Sequence, residues 1–468
     1  MTMMWLAALA AASALSDGGA AVPNAVVSRD GTRWTIDYTL PGTAAAWVFP
    51  VSAPTMGTQR PWRDGDWRVV TPGVRIERRG AYDMLVPTHG RYVPRQVRLS
   101  FIPSAVTLER EYDPAVSFGN GSMALYSDQF DLVPASDLAA IATREAGLSA
   151  HDLGGDHAAV RFHDAAGPVF VGGKRIADPI LRGAATYVVF GAAAIEDVGG
   201  IAMLADPALP LWLKTDLADF VPRVAATYAA RLGPRDDPRL PLLLIGWRGA
   251  TPGKVINDGG VRPGEILLNF EGEGLVDRND KAARRTRWFL AHELSHFWLG
   301  SEGVAYRAPA DAWITEGGAE MMAFTLLAAS DHAYALAELQ RAVDDCVRAA
   351  SKPVATAGER HDGRTFYACG TVFALAATGV VRQHGGKDVF DFLRPLLTTH
   401  RSDRLIGREE WLSDLAGLEG GEAAATAIRV MIERGSVDPA ADVSALLRST
   451  GVSLTRTGDT LILASDAI

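Results

Sequence analysis

Two histidines and one glutamate between Ala291 and Gly300 could together do metal chemistry. This stretch reads AHELSHFWLG, with His292 and His296 four positions apart and Glu293 directly after the first histidine. On a helix, residues at i and i+4 lie one above the other on one face, so both imidazoles can reach one metal ion. Zinc binds neutral imidazole and, in hydrolases, keeps one position open for water. Glu293 lies where a general base for that water is needed, so the pattern predicts hydrolytic zinc chemistry.

Glu316 is the candidate for a third protein ligand. Two histidines leave a hydrolytic zinc ion one protein ligand short, and Glu316 lies in WITEGGAE (313–320), a segment typical of a helix. Two consecutive glycines inside a helix cost roughly 1 kcal/mol each relative to alanine, and a close approach to the zinc helix would explain them. Glu320, one turn after Glu316, either holds the second nitrogen of a ligating imidazole or lies in solvent.

The elements that must position these residues differ before and after the motif. From Val22 to Pro134, short β-rich runs such as RWTIDYTL, VRIERR and VRLSFI alternate with turn residues, which predicts an all-β domain. From about Ile180, strand and helix patterns alternate and lead into the zinc helix. Asn279 or Asp280 can cap the start of that helix.

After the motif, the pattern is mostly helical. Gly300 can end the zinc helix, and separate helices are predicted near 312–330 and 332–350, among others. The final stretch, VSLTRTGDTLILA, alternates around Gly458 and predicts a terminal hairpin.

Length and composition are typical of a globular protein with more than one domain. The chain has 468 residues, of which 48% are hydrophobic and 22% charged, so two or three domains are expected. The net charge of −9, without a dense Lys/Arg cluster, argues against a nucleic-acid binder. No run beyond the N-terminal segment approaches the roughly 18 apolar residues of a membrane span, so none is expected.

The first residues have the pattern of a secretory signal. The segment MTMMWLAALAAASALSDGG contains an apolar run from Trp5 to Leu15 and an A-x-A cleavage site at Ala12-Ser13-Ala14. No lysine or arginine precedes the run. A secreted or periplasmic location is therefore expected, with a cytoplasmic location as the alternative.

Three other histidines and both cysteines are not expected to form a metal site. His151, His157 and His163 do not recur with the spacing of a metal site and are expected at the surface or in loops. Cys346 and Cys369 are expected to be two separate buried thiols. A disulfide between them is the alternative if the chain is exported.

The motifs together resemble a known enzyme family. HELSHFWLG followed by WITEGGAE resembles the gluzincin metallopeptidases of the aminopeptidase N type, whose signature is HExxHxWxG and then WxxEG, and the glycyl aminopeptidases are similar. The resemblance implies one Zn²⁺ per chain, bound by His292, His296 and Glu316, with Glu293 as general base. It also implies that Tyr367, in YACG, matches the family's YxxG motif and donates its hydroxyl to the oxyanion of the tetrahedral intermediate. A buried core tyrosine is the alternative.

The sequence departs from the family pattern in three ways. The stretch between His296 and Glu316 is one residue longer than is usual, and YACG replaces YEKG. The GxMEN motif, which in the family binds the free amino terminus of the substrate, is absent. Glu265, Glu271 and Glu273 are the acids that could replace it.

These patterns and the resemblance predict an α+β multidomain protein. Its parts are a signal peptide (1–20), a β-rich N-terminal domain (21–177), a thermolysin-like α/β zinc catalytic domain (178–400) and a helical C-terminal part with a terminal hairpin (401–468). The expected function is zinc-dependent hydrolysis of a peptide substrate by an aminopeptidase. The alternatives are an endopeptidase or other zinc hydrolase, because GxMEN is absent, and a non-catalytic binding protein on a peptidase fold. The oligomeric state stays open.

Overall fold

The chain folds as a mixed α/β protein with two compact units. The computed structural model describes residues 22–109, 111–235, 241–300 and 302–468, and the predicted signal peptide lies outside them. Unit 1 contains residues 22–115, Leu125–Val169 and Ile176–Phe190, and unit 2 contains Val116–Ala124, Phe170–Arg175 and Gly191–Ile468. The domain boundaries predicted at 177 and 400 stay predictions.

The chain up to Ala205 forms mostly strands, as the β-rich pattern predicts. In chain order the elements are β1 (Asn24–Asp30), β2 (Arg33–Thr39), β3 (Ala46–Val48), β4 (Trp67–Val69), β5 (Val74–Arg79), β6 (Tyr82–Pro87), β7 (Gln96–Phe101), β8 (Ala115–Ser117), β9 (Met123–Tyr126), β10 (Val133–Ala135), α1 (Leu138–Ala142), β11 (Ala159–Asp164), β12 (Val169–Val171), β13 (Lys174–Ile176), β14 (Ile180–Leu181), β15 (Tyr187–Phe190), β16 (Glu196–Asp197) and β17 (Ala202–Ala205). The runs RWTIDYTL, VRIERR and VRLSFI correspond to β2, β5 and β7.

Two sheets of unit 1 follow from the alternation of apolar and polar residues. In β2, Trp34, Ile36 and Tyr38 are buried while the residues between them are less so, which gives one core-facing side. One sheet has the strand order β14-β11-β1-β2-β7-β4, and the other has the order β10-β3-β6-β5. The consecutive strands β4 and β5 are therefore edge strands of different sheets.

Unit 2 continues as alternating strands and helices and then becomes mainly helical. Its remaining elements are α2 (Leu211–Leu232), β18 (Leu242–Trp247), β19 (Ile256–Arg262), β20 (Glu265–Glu271), α3 (Asp280–Ser295), β21 (Ala305–Tyr306), α4 (Trp313–Ala349), α5 (Arg364–Gln383), α6 (Val389–Thr399), β22 (Leu405–Ile406), α7 (Arg408–Ala416), α8 (Gly421–Glu433), α9 (Pro439–Ser449), β23 (Leu454–Thr457) and β24 (Thr460–Leu463). The predicted terminal hairpin is confirmed as β23 and β24, with Gly458 at φ +61° in the turn.

The predicted helices near 312–330 and 332–350 are confirmed. Both lie within α4, whose backbone leaves helical geometry between them at Asp331, where φ is −149° and ψ is 72°. The apolar positions on both sides of this kink pack into one core.

A five-stranded sheet precedes the helices of the candidate site in the chain. Its order is β16-β17-β18-β20-β19, in which β17, β18 and β20 run parallel and β19 pairs antiparallel with β20. The apolar run LLLIG of β18 is buried, as expected for a parallel strand covered on both faces. The outer edge of β19 has no partner strand among the described residues.

Helix α5 is a long apolar helix of the core. Within the described part of the chain, it is the one helix long and apolar enough to cross a membrane by length and composition. However, 83% of that stretch is buried in the protein, as is usual for a core helix.

Candidate metal centre

Helix α3 positions the two histidines. Its N-cap is Asn279, whose side-chain oxygen accepts a hydrogen bond of 2.8 Å from the Ala282 amide. The expectation that Gly300 ends the helix is wrong, because α3 ends at Ser295 and residues 296–298 form turns. Gly300 instead permits a close approach of the chain to His296. Its φ is +147°, and a Cβ there would lie 2.7 Å from His296 Nδ1, so only glycine lets the chain pass this close to the imidazole.

Three donor atoms come together where α3 meets α4. His292 Nε2 lies 3.3 Å from His296 Nε2 and 3.4 Å from Glu316 Oε2, and the distance from His296 Nε2 to Glu316 Oε2 is 3.8 Å. Zinc–nitrogen bonds of 2.0–2.1 Å at tetrahedral angles place ligand atoms about 3.3 Å apart. The spacing of the three donor atoms therefore fits one zinc ion, which His292, His296 and Glu316 would hold.

The hydrogen bond of His296 favours the tautomer that a metal requires. His296 Nδ1 lies 3.0 Å from the Leu299 carbonyl oxygen, which can only accept a proton, so the hydrogen belongs on Nδ1. Nε2 then carries the lone pair and faces His292 and Glu316. A backbone carbonyl thus fixes the orientation of this imidazole, as is common around ligating histidines.

Glu320 lies beside His292 but bonds elsewhere. Its carboxylate accepts a hydrogen bond of 2.7 Å from Trp288 Nε1 and lies 3.8 Å from the Arg364 guanidinium. His292 Nδ1 is buried and has no hydrogen-bond partner among the described residues. A bond from Glu320 to His292 therefore stays a prediction. Trp288 and Arg364 were not singled out by sequence, although Trp288 precedes His292 by one helical turn.

Carboxylates outnumber imidazoles in this centre, which favours a bound cation. Burial alone would lower the pKa of His292, but its hydrogen bond to Glu316 and the charges of Glu320 and Glu293 raise it to about 9. Burial opposes ionisation of Glu316, but the charge of His296 and the bond to His292 outweigh it and lower its pKa to about 2. The surrounding acids therefore favour positive charge at the position of the two imidazoles, which a bound divalent cation would supply.

Glu293 and Tyr367 lie next to the three donor atoms. Burial raises the pKa of Glu293, against the opposing charges of His292 and His296. The Tyr367 ring stacks on the His292 ring at 5.6 Å and 20°, and its hydroxyl is hydrogen-bonded to Glu316. Burial, together with the charges of Glu316 and Glu293, raises the pKa of Tyr367 above its usual value. The phenol therefore stays a proton donor.

A glycine contact brings α5, and with it Tyr367, against α4. A Cβ on Gly317 would lie 2.1 Å from the carbonyl carbon of Gly370, and a Cβ on Gly370 would lie 2.2 Å from the Trp313 oxygen. A Cβ on Gly318 would lie 2.3 Å from Leu299 Cδ2. The expectation that these glycines permit a close approach of α4 to the zinc helix, α3, is therefore wrong for Gly317. Gly317 instead permits close contact with α5, the helix that contains Tyr367.

The expectation of two separate buried thiols is wrong. Cys346 of α4 and Cys369 of α5 form a disulfide, with Cα atoms 4.7 Å apart. The close packing of these two helices puts the Cα atoms within disulfide range, which 22 intervening residues of sequence do not reveal.

A second group of side chains that could hold a metal ion is engaged in hydrogen bonds within the protein. Asp128, Asp131 and His157 lie close enough to hold an ion. However, Asp131 accepts from His157 Nδ1 at 2.6 Å and from the Ala158 amide at 2.9 Å, and Asp128 accepts from the Ala185 amide at 2.9 Å. His157 is thus tied to a buried acid in a way that its sequence context did not show.

The acids considered for the substrate amino terminus lie in different surroundings. Glu271 accepts hydrogen bonds from Thr251 Oγ1 at 2.7 Å and Lys254 Nζ at 2.8 Å, which lowers its pKa. Glu265 is buried opposite Arg262 in the β19–β20 register, and Glu273 is exposed. Glu271 is therefore already committed to other partners.

Comparison with known proteins finds similarity only to solved structures. No protein-family model and no curated protein matches the chain. Among solved structures it is similar to a two-domain M1 zinc metallopeptidase mutant bound to L-arginine (TM-score 0.45, 13% identity, covering 89% of this chain and 93% of that chain). It is also similar to such a mutant bound to L-tryptophan (0.44, 14%, 89% and 94%) and to an M1 zinc metallopeptidase mutant from Deinococcus radiodurans bound to a Tyr-Ser-Ala substrate (0.44, 13%, 89% and 94%). With TM-scores below 0.5, this likeness carries no argument about function, which rests on the geometry of the metal centre.

Proposed function

We propose that this protein is a zinc-dependent metallopeptidase. The observation that carries the proposal is the set of three donor atoms, on His292, His296 and Glu316, at tetrahedral spacing. Glu293 and Tyr367 lie beside this set with the ionisation properties of a base and a proton donor. The sequence motifs that contain these five residues resemble the gluzincin peptidases.

The side chains have complementary roles in hydrolysis. When bound, zinc supplies Lewis-acid chemistry. Glu293 takes a proton from the attacking water as its oxygen bonds to the substrate carbonyl carbon, and it gives that proton to the leaving amine as the C–N bond breaks. The raised pKa of Glu293 brings it closer to the range in which it can both accept and return a proton. Tyr367 donates its hydroxyl to the developing oxyanion.

The position of β19 at the edge of its sheet, with no partner strand among the described residues, supports a peptide as the substrate. β19 is the antiparallel edge strand of the unit 2 sheet, and Asn257 Nδ2 of β19 donates to Thr286 Oγ1 of α3 at 3.0 Å. An extended peptide can pair its backbone with such an edge. Aminopeptidase specificity rests on the resemblance alone, and the absence of GxMEN keeps an endopeptidase or another zinc hydrolase as the second candidate.

The test of this function is a comparison of Glu293→Gln with Glu422→Gln. Glu422 is an exposed acid on α8 and serves as the matched control. We expect Glu293→Gln to lower kcat by about 10²- to 10⁴-fold while bound zinc stays stoichiometric, because the base acts only in the reaction. Full turnover by Glu293→Gln would exclude it as the base.

A peptide panel separates the competing activities. An aminopeptidase cleaves peptides with a free amino terminus and fails on the same peptides with an acetylated terminus. Equal cleavage of both sets would indicate an endopeptidase. No cleavage of any peptide by the zinc-loaded wild type would favour a binding protein on a peptidase fold.

We also propose that the chain is exported. The Cys346–Cys369 disulfide supports this, because disulfides persist in oxidising compartments. The mass of the protein recovered from its native source gives the test. A mature protein that retains residues 1–14 would contradict cleavage after Ala14.

A further inference from the structure

Strands β4 and β5 of unit 1 border a groove of about 550 Å³. The two strands follow one another in the chain but end different sheets, so each has an outer edge without a partner strand among the described residues. The groove is lined by parts of 61–69, by 74–76 and by Arg78 and Asp83. Its volume lies within the range of ligand sites, and no residue of the metal centre takes part in it.

Arginines outnumber acids along this groove. The charged residues that line it are Arg63, Arg68, Arg75, Arg78, Asp64 and Asp83, an excess of two positive charges on a chain whose net charge is −9. Asp83 is buried and already accepts hydrogen bonds from Arg63 at 3.2 Å and from Arg78 at 2.8 Å. It therefore has little capacity to neutralise the other arginines.

The exposed arginines keep a positive charge at the rim. Arg68 is exposed and has no side-chain partner among the described residues. Arg75 is bonded to Glu77, but Glu77 also accepts from Arg79 at 2.6 Å, so one acid faces two guanidinium groups on β5. Arg68 can donate two parallel hydrogen bonds to a carboxylate, whereas Arg75, which also donates to the Pro87 carbonyl oxygen at 3.3 Å, contributes its charge.

Among the residues that line the groove, Arg63 and Trp67 are buried. The Arg63 guanidinium is 1% exposed and lies 4.2 Å from the Phe49 and Trp62 ring centroids and 4.8 Å from that of Trp67. The buried Nε of Arg63 and the indole nitrogens of Trp62 and Trp67 have no acceptor among the described residues. These donor atoms are buried and beyond the reach of a ligand in the groove, so recognition of a carboxylate depends on the exposed arginines at the rim.

We propose that this groove binds an extended peptide segment with acidic side chains. Its carboxylates would face Arg68 and Arg75, and its backbone would pair with an open strand edge. The aliphatic side chains of Val69, Val74 and Ile76 line the same groove and would contact apolar parts of the segment. Pairing with a strand edge requires amide groups, which favours a peptide over a nucleic acid or a sulfated sugar. The proposal is independent of hydrolysis in unit 2.

The test is fluorescence anisotropy of a labelled octapeptide of alternating Glu and Thr, titrated with the full-length protein. The same peptide with Gln in place of Glu is the charge control, and mass spectrometry verifies that the probe stays intact. The groove variant is Arg68→Glu/Arg75→Glu. The matched protein control is Arg33→Glu/Arg161→Glu, which changes the charge equally at exposed positions of β2 and β11 in unit 1.

We expect the groove variant and the Gln peptide each to weaken binding by at least about tenfold, since charged hydrogen bonds contribute about 1.5–3 kcal/mol each and 1.4 kcal/mol is tenfold. The matched control should bind as the wild type does. Arg68→Gln, which removes one unpartnered charged side chain and leaves the fold intact, should weaken binding by about tenfold, the lower end of the effect of one charged hydrogen bond. Equal affinity for both peptides, equal losses in groove and control variants, or displacement of the peptide by a single-stranded oligonucleotide at lower concentration would overturn the proposal.

Discussion

The metal centre of unit 2 and the β4–β5 groove of unit 1 both contain buried charge, but with opposite excess. In the metal centre, Glu293, Glu316 and Glu320 surround two imidazoles. In the groove, the lining arginines outnumber the two aspartates. An excess of acids makes a site for a cation, and an excess of arginines makes a site for a carboxylate.

The two regions also differ in how their charges are compensated. In the metal centre several acids carry the negative charge, and a divalent cation can balance that charge. In the groove one buried acid, Asp83, holds two guanidinium groups, one of which is 1% exposed. Loss of the Asp83 carboxylate should therefore mainly lower the stability of unit 1. Loss of one side chain of the metal centre should mainly lower the rate of hydrolysis.

The largest effect is expected from Asp83→Asn. The buried Arg63 would lose its counter-charge, and removal of one partner from a buried ion pair costs about 3–5 kcal/mol of the free energy of unfolding. Urea unfolding with hydrogen exchange in β4–β6 measures this loss. Asp64→Asn, at an exposed position of the same groove, is the control and should change stability little. Equal effects of the two variants would show that Asp83 does not compensate Arg63.

The next largest effect is expected from Tyr367→Phe. Removal of one oxyanion donor lowers kcat by about 10²- to 10³-fold, while KM and bound zinc should stay close to wild type. Tyr334→Phe, on α4 beyond the kink at Asp331, serves as the control. Steady-state kinetics on one peptide separate kcat from KM. Unchanged kinetics in Tyr367→Phe would move the oxyanion role to another group.

The smallest effect is expected from pH in the metal-free protein. The pKa of His292 is raised from 6.5 to about 9 in the folded state. Its contribution to stability is therefore fully present below pH 6.5 and is lost as pH rises through 9. The Tm in the presence of a chelator, measured from pH 6 to 9.5, should fall more steeply for the wild type than for His292→Gln. His332→Gln, an exposed histidine of α4, should keep the wild-type slope. Parallel curves for wild type and His292→Gln would contradict the acid-rich description of the centre.

Much of the candidate site could be predicted from sequence, because its spacing is local. His292 lies in the last turn of α3 and His296 is its C-cap residue, so the i, i+4 spacing brings both imidazoles to one side in any fold that keeps this helix. Glu316 required a further assumption, that the next helix returns to α3, and the structure places its carboxylate 3.4 Å from His292 Nε2. Strand β19 was not predicted, since its sequence INDGGVR has two glycines and no apolar alternation.

The sequence alone determined which side chains could bind a metal, because residue types and an i, i+4 spacing suffice for that. Only the tertiary structure decided what surrounds them. The Gly317–Gly370 contact brings Tyr367 against His292, and the packing of α4 on α5 joins Cys346 to Cys369. The β4–β5 groove likewise depends on two neighbouring strands that join different sheets. Helix crossings and sheet partners are set by contacts between residues far apart in the chain, and local patterns do not contain them.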